Sequence, residues 1–159
     1  MLLENYRNPV SPTVFFRQAK QQPSDFAAIQ RLVALYTQVS QMQKALDLLD
    51  KSRSLMEGRP DFLRFAAGYD QSHGRGEMAL RTARKLVELE PNLPENHYVL
   101  ARALYFQKDL PGFYAAAAQA IAIGGLPMQS FILQDPSFAP LRQEAAFKKL
   151  TTPQGLESR

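Results

Sequence analysis

The chain has 159 residues, of which 45% are hydrophobic and 21% are charged, and its formal net charge is +4. This balance suits one domain with a buried core, and the lack of cysteine excludes disulfides and thiolate metal sites. The positive charge is spread along the chain instead of forming a stripe or a tail, so the composition does not favour a nucleic-acid binder.

The first predicted helix spans residues 12–22 and follows an N-terminal extension at residues 1–11. Its side chains Phe15 and Ala19 stand four residues apart, which places them on one face of a helix. We expect this single helix to cover the open end of the helices that follow, with Phe16 left partly exposed and able to support self-association. A helix that lies on a membrane surface is the alternative interpretation.

Helical periodicity then predicts a hairpin of two helices over residues 26–59. The apolar face of its first helix consists of Ile29, Leu32, Val33, Leu35, Tyr36 and Val39. A polar break at Ser40 and Gln41 separates this helix from a second one, whose apolar residues extend to Leu55. Glycine and proline stop helices, so the segment from Gly58 to Pro60 is expected to end the hairpin.

The same layout predicts a second hairpin over residues 60–93 and a third over residues 94–127. Pro60 and Pro94 open their first helices, a position that tolerates proline. The expected turns are His73–Gly76 and Lys108–Gly112, and the expected return helices are Met78–Leu89 and Phe113–Ile123, with Gly124 as the C-cap of the last.

The C-terminal part, residues 128–150, is predicted to form a helical cap. A short helix covers Met128–Leu133, and Asp135 followed by Pro136 is typical of a helix N-cap and a first helical position. Apolar residues within 139–150 supply the face that would pack on the third hairpin. Residues 151–159 are polar and are predicted to be a flexible tail.

Equivalent residues recur at an interval of 34 across the three hairpins, which we call the repeat interval. Examples are Ala45 and Ala79; Leu32, Ala66 and Leu100; and Leu49, Ala83 and Ala117. A period of this length is typical of arrays of stacked helical units, in which each unit contacts only its neighbours. The terminal units of such arrays are atypical because one side faces water, which agrees with a single leading helix and a C-terminal cap.

The repeated residues resemble the tetratricopeptide repeat (TPR), a helix–turn–helix unit whose length equals the repeat interval. The matching positions are Ile29, Leu32, Val33, Tyr36, Ala45 and Leu49 in the first unit, Leu63, Ala66, Ala67, Gly74, Ala79 and Pro91 in the second, and Leu100, Ala101, Leu104 and Ala120 in the third. The chain departs from the family pattern at Glu57, at Asp70 and at Phe113, where a small residue is usual and where the small Ala117 nearby can conserve packing volume.

The segment 135–150 also resembles the end segment that follows the last repeat in many bacterial members of this family. Together these resemblances cover residues 12–150. They imply one all-α domain, an α-solenoid of three TPR-like helical hairpins with an N-terminal half-repeat helix and a C-terminal helical cap.

The resemblance further implies that the first helices of the hairpins line a concave groove. The residues expected to contact a partner there are Gln30, Arg64, Gly68, Gln71, Tyr98, Arg102, Tyr105 and Phe106. Aromatic residues and arginine dominate binding hot spots, and arginine can bind a carboxylate through two hydrogen bonds. We therefore expect an extended or helical segment, which can carry an acidic group, to lie between Arg64 and Arg102 and to stack on Tyr98 and Tyr105.

The alternative interpretation is that these aromatic side chains are structural. Tyr105 and Phe106 would then pack against the predicted helix at residues 128–133 and would not contact a partner. Gly68, which has no side chain, is expected to leave room for a partner backbone in the middle of the groove.

The sequence predicts no catalytic site, no metal site and no cofactor. His97 falls on a packing face and His73 in a turn, and neither has a second histidine or a carboxylate at metal-ligand spacing. The stretch Gly74–Gly76 is too short for a phosphate-binding loop. We therefore expect a protein that is not an enzyme.

The expected function is that of an adaptor that binds a peptide or helix of an unidentified protein. The alternatives are a chaperone of the secretion or assembly type, a structural segment of a larger complex and, less favoured, a weak nucleic-acid binder. No run of about 20 apolar residues is visible, and the N-terminus lacks a signal-peptide pattern. These features favour the cytoplasm, or the periplasm if a signal peptide has been removed.

Overall fold

The computed structural model describes residues 25–152, and within that range the chain forms eight helices, one of them a 3-10 helix, and no strand. They are α1 (Phe26–Gln38), α2 (Met42–Arg53), α3 (Pro60–Ser72), α4 (Gly76–Leu89), α5 (Pro94–Phe106), α6 (Leu110–Gln134), the 3-10 helix (Pro136–Gln143) and α7 (Ala145–Thr151). The predicted helix at residues 12–22, with Phe15 and Phe16, lies outside the described residues.

The repeat interval is also present in the helix boundaries. The first helices begin at Phe26, Pro60 and Pro94, and the second helices begin at Met42, Gly76 and Leu110. Each helix of one hairpin therefore starts one repeat interval after its counterpart in the hairpin before. The repeat seen in the side chains is thus also a repeat of the backbone, as a helical array requires.

The turn inside each hairpin has the same backbone geometry. Ser40, Gly74 and Lys108 all have positive φ, at 60°, 75° and 63°. The next residue in each case donates its backbone N–H to the carbonyl five residues earlier, as from Gln41 to Tyr36 at 2.7 Å. The same bond joins residues 75 and 70 at 2.9 Å, and residues 109 and 104 at 3.0 Å. This left-handed C-cap closes the first helix and satisfies one of its last carbonyls.

The chain packs as two compact units that divide between Phe62 and Leu63, inside α3. In the first unit α1 packs on α2. Its buried apolar residues are Ala28, Ile29, Leu32, Val33, Ala45, Leu49, Met56 and Phe62. Leu55, expected on the apolar face of the second helix, is 59% exposed because α2 ends at Arg53 and the following turn buries Met56 instead.

The second unit has a larger apolar core centred on α5, α6 and the C-terminal helices. Its aromatic centre joins Phe113 of α6 to Phe138 of the 3-10 helix, with ring centroids 4.9 Å apart. Phe147 of α7 stacks on Phe113 at 6.4 Å. All three rings are fully buried. The C-terminal helices therefore explain why a phenylalanine occupies a position where the earlier hairpins have Ala45 and Ala79.

Helix α6 begins earlier and ends later than its sequence pattern indicates. The predicted turn over 108–112 is shorter, because the Asp109 carboxylate caps the helix by accepting a hydrogen bond from the Gly112 N–H at 2.9 Å. The predicted C-cap at Gly124 is also wrong. The left-handed residue is Gly125, with φ 63° and ψ −153°, a conformation that only glycine adopts readily. There the helix is broken, and its second segment continues to Gln134.

Gly124 has a different role, since it allows a close approach between helices. A Cβ atom at this position would lie 2.9 Å from the Pro94 Cβ at the start of α5 and 2.7 Å from the Met128 Cβ. Both distances are shorter than van der Waals contact allows. The two adjacent glycines thus bring α6 close to α5 and then turn the chain.

Helix α6 is long and apolar enough to cross a membrane by length and composition. The break at Gly125 leaves 15 residues before it, which span about 22 Å as an α-helix, less than the bilayer core of about 30 Å. One face of this helix also belongs to the buried core of the second unit. Its apolar character is therefore explained in part by packing.

The C-terminal cap begins as the sequence predicts. Asp135 accepts a hydrogen bond from the Ser137 backbone N–H at 2.8 Å, and Pro136 occupies the first helical position. Thr151, assigned to the tail on the basis of polarity, is the buried last residue of α7, and its hydroxyl donates to the Phe147 carbonyl at 2.8 Å. The remainder of the predicted tail, residues 153–159, lies outside the described residues.

Candidate functional site

A groove between α3 and α5 in the second unit encloses a cavity of about 130 Å³. The lining residues are Arg64, Ala67, Gly68 and Gln71 from α3, Val99, Arg102 and Ala103 from α5, and Ala79 from α4. The α3 residues share one face because they stand three or four positions apart. The alanines are buried and Gly68 is exposed. A Cβ atom at Gly68 would meet nothing within 4 Å, so the groove is open at this point.

Arg64, which lines the groove, is held by two side chains that follow it in sequence. Its Nη1 donates to Glu90 Oε2 at 2.7 Å and to Asn96 Oδ1 at 2.9 Å. The Asn96 amide donates in turn to the Glu90 carboxylate at 3.1 Å and to the Leu86 carbonyl at 3.2 Å. These bonds from Asn96 and Arg64 lower the pKa of Glu90. Nη1 of Arg64 therefore already donates hydrogen bonds to two side chains of the same unit.

Arg102 also lines the groove and is less tightly held. Its Nε is 3.9 Å from Asp135 Oδ2, beyond hydrogen-bond distance, and its guanidinium carbon is 5.8 Å from the Tyr98 ring centroid. Within residues 25–152 neither Arg102 Nε nor Gln71 Oε1 has a hydrogen-bond partner, although both atoms are buried. One donor and one acceptor of the groove residues are thus left unsatisfied.

Tyr98 is fixed by the C-terminal part of the unit. Its hydroxyl donates to Asp135 Oδ2 at 2.5 Å, and its ring meets Phe131 edge-on at 4.9 Å and Phe138 at 6.4 Å. Burial, and then this hydrogen bond, raise the pKa of Tyr98. Burial alone would raise the pKa of Asp135, but the bonds from Tyr98 and Ser137 and the charge of Arg102 lower it below its usual value.

Tyr105 also packs inside the unit, but on other residues than expected. Its ring lies 5.3 Å from Phe138, 5.6 Å from Phe113 and 5.5 Å from Phe106. The alternative interpretation predicted contacts with the helix at residues 128–133, whereas the ring partners of Tyr105 outside α5 are on the 3-10 helix and α6. Phe106 is 46% exposed and Phe131 is 54% exposed, so each presents apolar surface to solvent.

The structure thus brings together Arg64, Gly68, Gln71 and Arg102 around one cavity, and it places Tyr98 and Tyr105 in supporting contacts. Gln30 lies on the exposed side of α1, in the first unit.

Two residues that shape the groove were not found from the sequence. Asn96 is fully buried, and the equivalent positions in the two preceding hairpins are Phe62 and Ala28, which are also buried. The sequence did contain a signal for Asn96, namely a polar residue at a position of the repeat where the other hairpins have apolar packing residues. Asp135 was recognised as a cap, but its bond to Tyr98 joins residues 37 positions apart, which no local pattern indicates.

The two histidines occupy structural positions. His97 is buried, and its Nε2 lies 2.7 Å from the Pro91 carbonyl. His73 follows α3 in the turn, where its ring stacks on Tyr69 at 4.1 Å and its Nδ1 lies 2.7 Å from the Tyr69 carbonyl. Among residues 25–152 no three His, Cys, Asp or Glu side chains are grouped as metal ligands.

The repeating hairpins and their groove define the class of fold: an all-α, TPR-like helical repeat of the α-solenoid type. No family model matches the sequence, and no curated protein matches it. The chain is similar to solved structures of MamA, a protein that contains TPRs.

The crystal structure of MamA has 16% sequence identity and a TM-score of 0.62, with 87% of this chain and 84% of that chain covered. A MamA RS-1 ArsTM double mutant has 13% identity and a TM-score of 0.63, with 89% and 82% covered. At these identities the likeness shows the fold, and it agrees with the repeat seen in the sequence.

Proposed function

We propose that this protein binds a segment of a partner protein in the groove between α3 and α5. The observation that carries the proposal is the open cavity beside Gly68, whose lining includes the polar side chains of Gln71 and Arg102. A peptide backbone supplies both a donor and an acceptor at each residue. A helical or extended segment laid over Gly68 is therefore the type of ligand that this groove accommodates.

An acidic group on the partner would interact with Arg102 in preference to Arg64. Arg64 already donates to Glu90 and Asn96 from Nη1. Arg102 is farther from its internal carboxylate, and its side chain is 38% exposed. Because each arginine has an internal carboxylate nearby, we expect charge to contribute less to affinity than apolar contact with Phe106 and Phe131, both of which are exposed.

Substitution of Gly68 provides a sharp test, since a side chain there fills the groove without displacing another atom. Gly68→Arg should abolish partner binding and preserve the fold, because glycine is a poor helix former. Gly58→Arg is the matched control, for a Cβ at Gly58 also meets nothing within 4 Å. Both variants would be compared with the wild type by affinity purification from the native host, after circular dichroism has confirmed that they are folded.

The proposal predicts at least one protein that co-purifies with the wild type and with Gly58→Arg but not with Gly68→Arg. Identical partner sets for all three would exclude this groove as the binding site. A chaperone for one partner would show as a single co-purifying protein that also raises the melting temperature. A structural segment of a larger complex would retain its partners in the Gly68→Arg variant.

A further inference from the structure

The second helix of each hairpin exposes the same five positions, and their chemistry differs sharply among the three. In α2 and its C-cap they are Gln43, Asp47, Asp50, Lys51 and Ser54; in α4 they are Glu77, Arg81, Arg84, Lys85 and Glu88; in α6 they are Pro111, Ala115, Ala118, Gln119 and Ala122. Three of the five are charged in the first hairpin, all five in the second and none in the third, although these positions lie on the outer side of each helix.

Helix propensity does not account for this difference. Glutamate, lysine and arginine form helices nearly as well as alanine does, and an exposed helix face usually carries charge. Because the backbone follows the repeat interval, α2 and α4 serve as internal controls for α6. The outer face of α6 lacks the charges found at the equivalent positions of α2 and α4, which indicates that it contacts an apolar surface.

The uncharged face of α6 borders a groove between α6 and α7. Hydrogen bonds connect both segments of α6 to α7. Before the break, the Tyr114 hydroxyl donates to Glu144 Oε2 at 3.1 Å, and after it the Gln129 amide donates to the Leu150 and Thr152 carbonyls at 3.1 Å. The space between them is about 800 Å³. This groove shares no lining residue with the one between α3 and α5.

The lining of this second groove is mostly apolar and small. It includes Ala118, Ile121, Ala122, Leu126, Ala146 and Leu150. Ala118 and Ala122 stand four residues apart, which is the row spacing along which helices interdigitate. The break at Gly125 leaves Leu126 64% exposed at the edge of the groove. Lys149 also lines the groove and forms no ion pair with the described residues.

The dimensions of the groove decide between a single helix and a second copy of the chain. From Tyr114 to Gly124, the part before its break, α6 rises about 15 Å, and a helix is about 10 Å wide, so the footprint is about 150 Å². A stable dimer of folded chains needs about 800 Å² from each copy. A footprint of this size suits one helix, which can bind with its large side chains in the holes between the alanines.

We propose that the groove between α6 and α7 binds one amphipathic helix of a partner protein, with large aliphatic side chains four residues apart and a carboxylate facing Lys149. This site is separate from the groove in the proposed function. Either site can be lost by substitution without the other.

The probe is a fluorescein-labelled helical peptide of about 18 residues, long enough to fold alone, with leucines four residues apart and a flanking glutamate. Fluorescence anisotropy with the full chain should show saturable binding. Ala118→Arg, which introduces the residue found at the equivalent Arg84, should weaken binding by about tenfold or more. Asp50→Arg places the same residue at the equivalent position of the first hairpin and should leave binding unchanged.

The charge requirement is tested by exchange. The Lys149→Glu variant should bind the glutamate peptide more weakly than the wild type does. A peptide that carries lysine in place of the glutamate should bind this variant as well as the glutamate peptide binds the wild type. The proposal is overturned if the peptide does not bind saturably, or if Ala118→Arg, shown to be folded by its melting curve, binds it like the wild type. Concentration-dependent dimerisation in sedimentation that Ala118→Arg abolishes, without peptide binding, would assign the groove to a second copy and would also overturn it.

Discussion

The Asp135 carboxylate connects the C-terminal part of the second unit to α5. It accepts hydrogen bonds from the Tyr98 hydroxyl and from the Ser137 N–H, and it lies near Arg102. Its side chain is only 9% exposed. Hydrogen bonds to a charged group contribute more to stability than those between neutral groups. Asp135 is therefore the residue at which a change of protonation should alter the contacts of Tyr98 and Arg102.

Stability should depend on pH through Asp135. A carboxyl group whose pKa is lowered by folding stabilises the folded state above its ordinary pKa of 3.8, and this contribution is lost as the pH falls through the lower folded value. Asp135→Asn should cost about 1–2 kcal/mol at neutral pH. The difference from the wild type should shrink toward about pH 2.5, which urea unfolding at both pH values would measure.

Glu88→Gln, on the exposed face of α4, is the control and should change stability by less than about 0.5 kcal/mol. A difference between wild type and Asp135→Asn that stays constant with pH would mean that the carboxylate charge does not stabilise this end of the molecule.

Sequence reasoning located the groove residues but not their partners. The spacing of Arg64, Gly68 and Gln71 on one helix follows from the helical period, so their common face could be predicted. Arg64 meets Asn96 across 32 residues, and Tyr98 meets Asp135 across 37. Such contacts depend on how helices pack, and one sequence contains no direct record of that packing.

At the scale of the elements, the repeat interval predicted the helices well. The expected starts at Pro60 and Pro94 are those observed, because proline at the first position leaves no hydrogen bond unmade. The boundaries of α6 were harder. Asp109 starts the helix before Gly112, and Gly125 interrupts it one residue later than expected. The Asp109 cap and the pair Gly124 and Gly125 each permit more than one helix boundary. At the glycine pair, the close contact of Gly124 with Pro94 selects between the two boundaries.

The repeated turn gives a prediction at this scale. Lys108 holds the same left-handed conformation as Gly74, at a cost of about 1–2 kcal/mol that glycine does not incur. Lys108→Gly should therefore stabilise the protein by about 0.5–1 kcal/mol after the larger chain entropy of glycine is counted. Thermal unfolding should show a melting temperature higher by about 2–4 °C.

The reverse substitution at the equivalent position, Gly74→Ala, should destabilise by about 1 kcal/mol or more. If both substitutions changed the melting temperature in the same direction, the two turns could not be equivalent in solution.

At the scale of the whole molecule, the repeat interval accounts for more than the helix boundaries. It allows equivalent positions to be compared within one chain, and those comparisons identify Asn96 as a buried polar exception and the outer face of α6 as an uncharged one. Fold class follows from residues that repeat, whereas function follows from residues that do not. This is why the class of fold was predictable from the sequence and the partner was not.

The central claim is that a partner protein lies over Gly68, and site-specific photo-crosslinking measures this most directly. A benzophenone amino acid would replace Gly68, where a side chain meets no other atom, and in a second protein it would replace Lys85 on the exposed face of α4. After irradiation in the native host, the account predicts a discrete crosslinked protein from position 68 and none of the same mass from position 85. No adduct from position 68, or the same adduct from both positions, would contradict it.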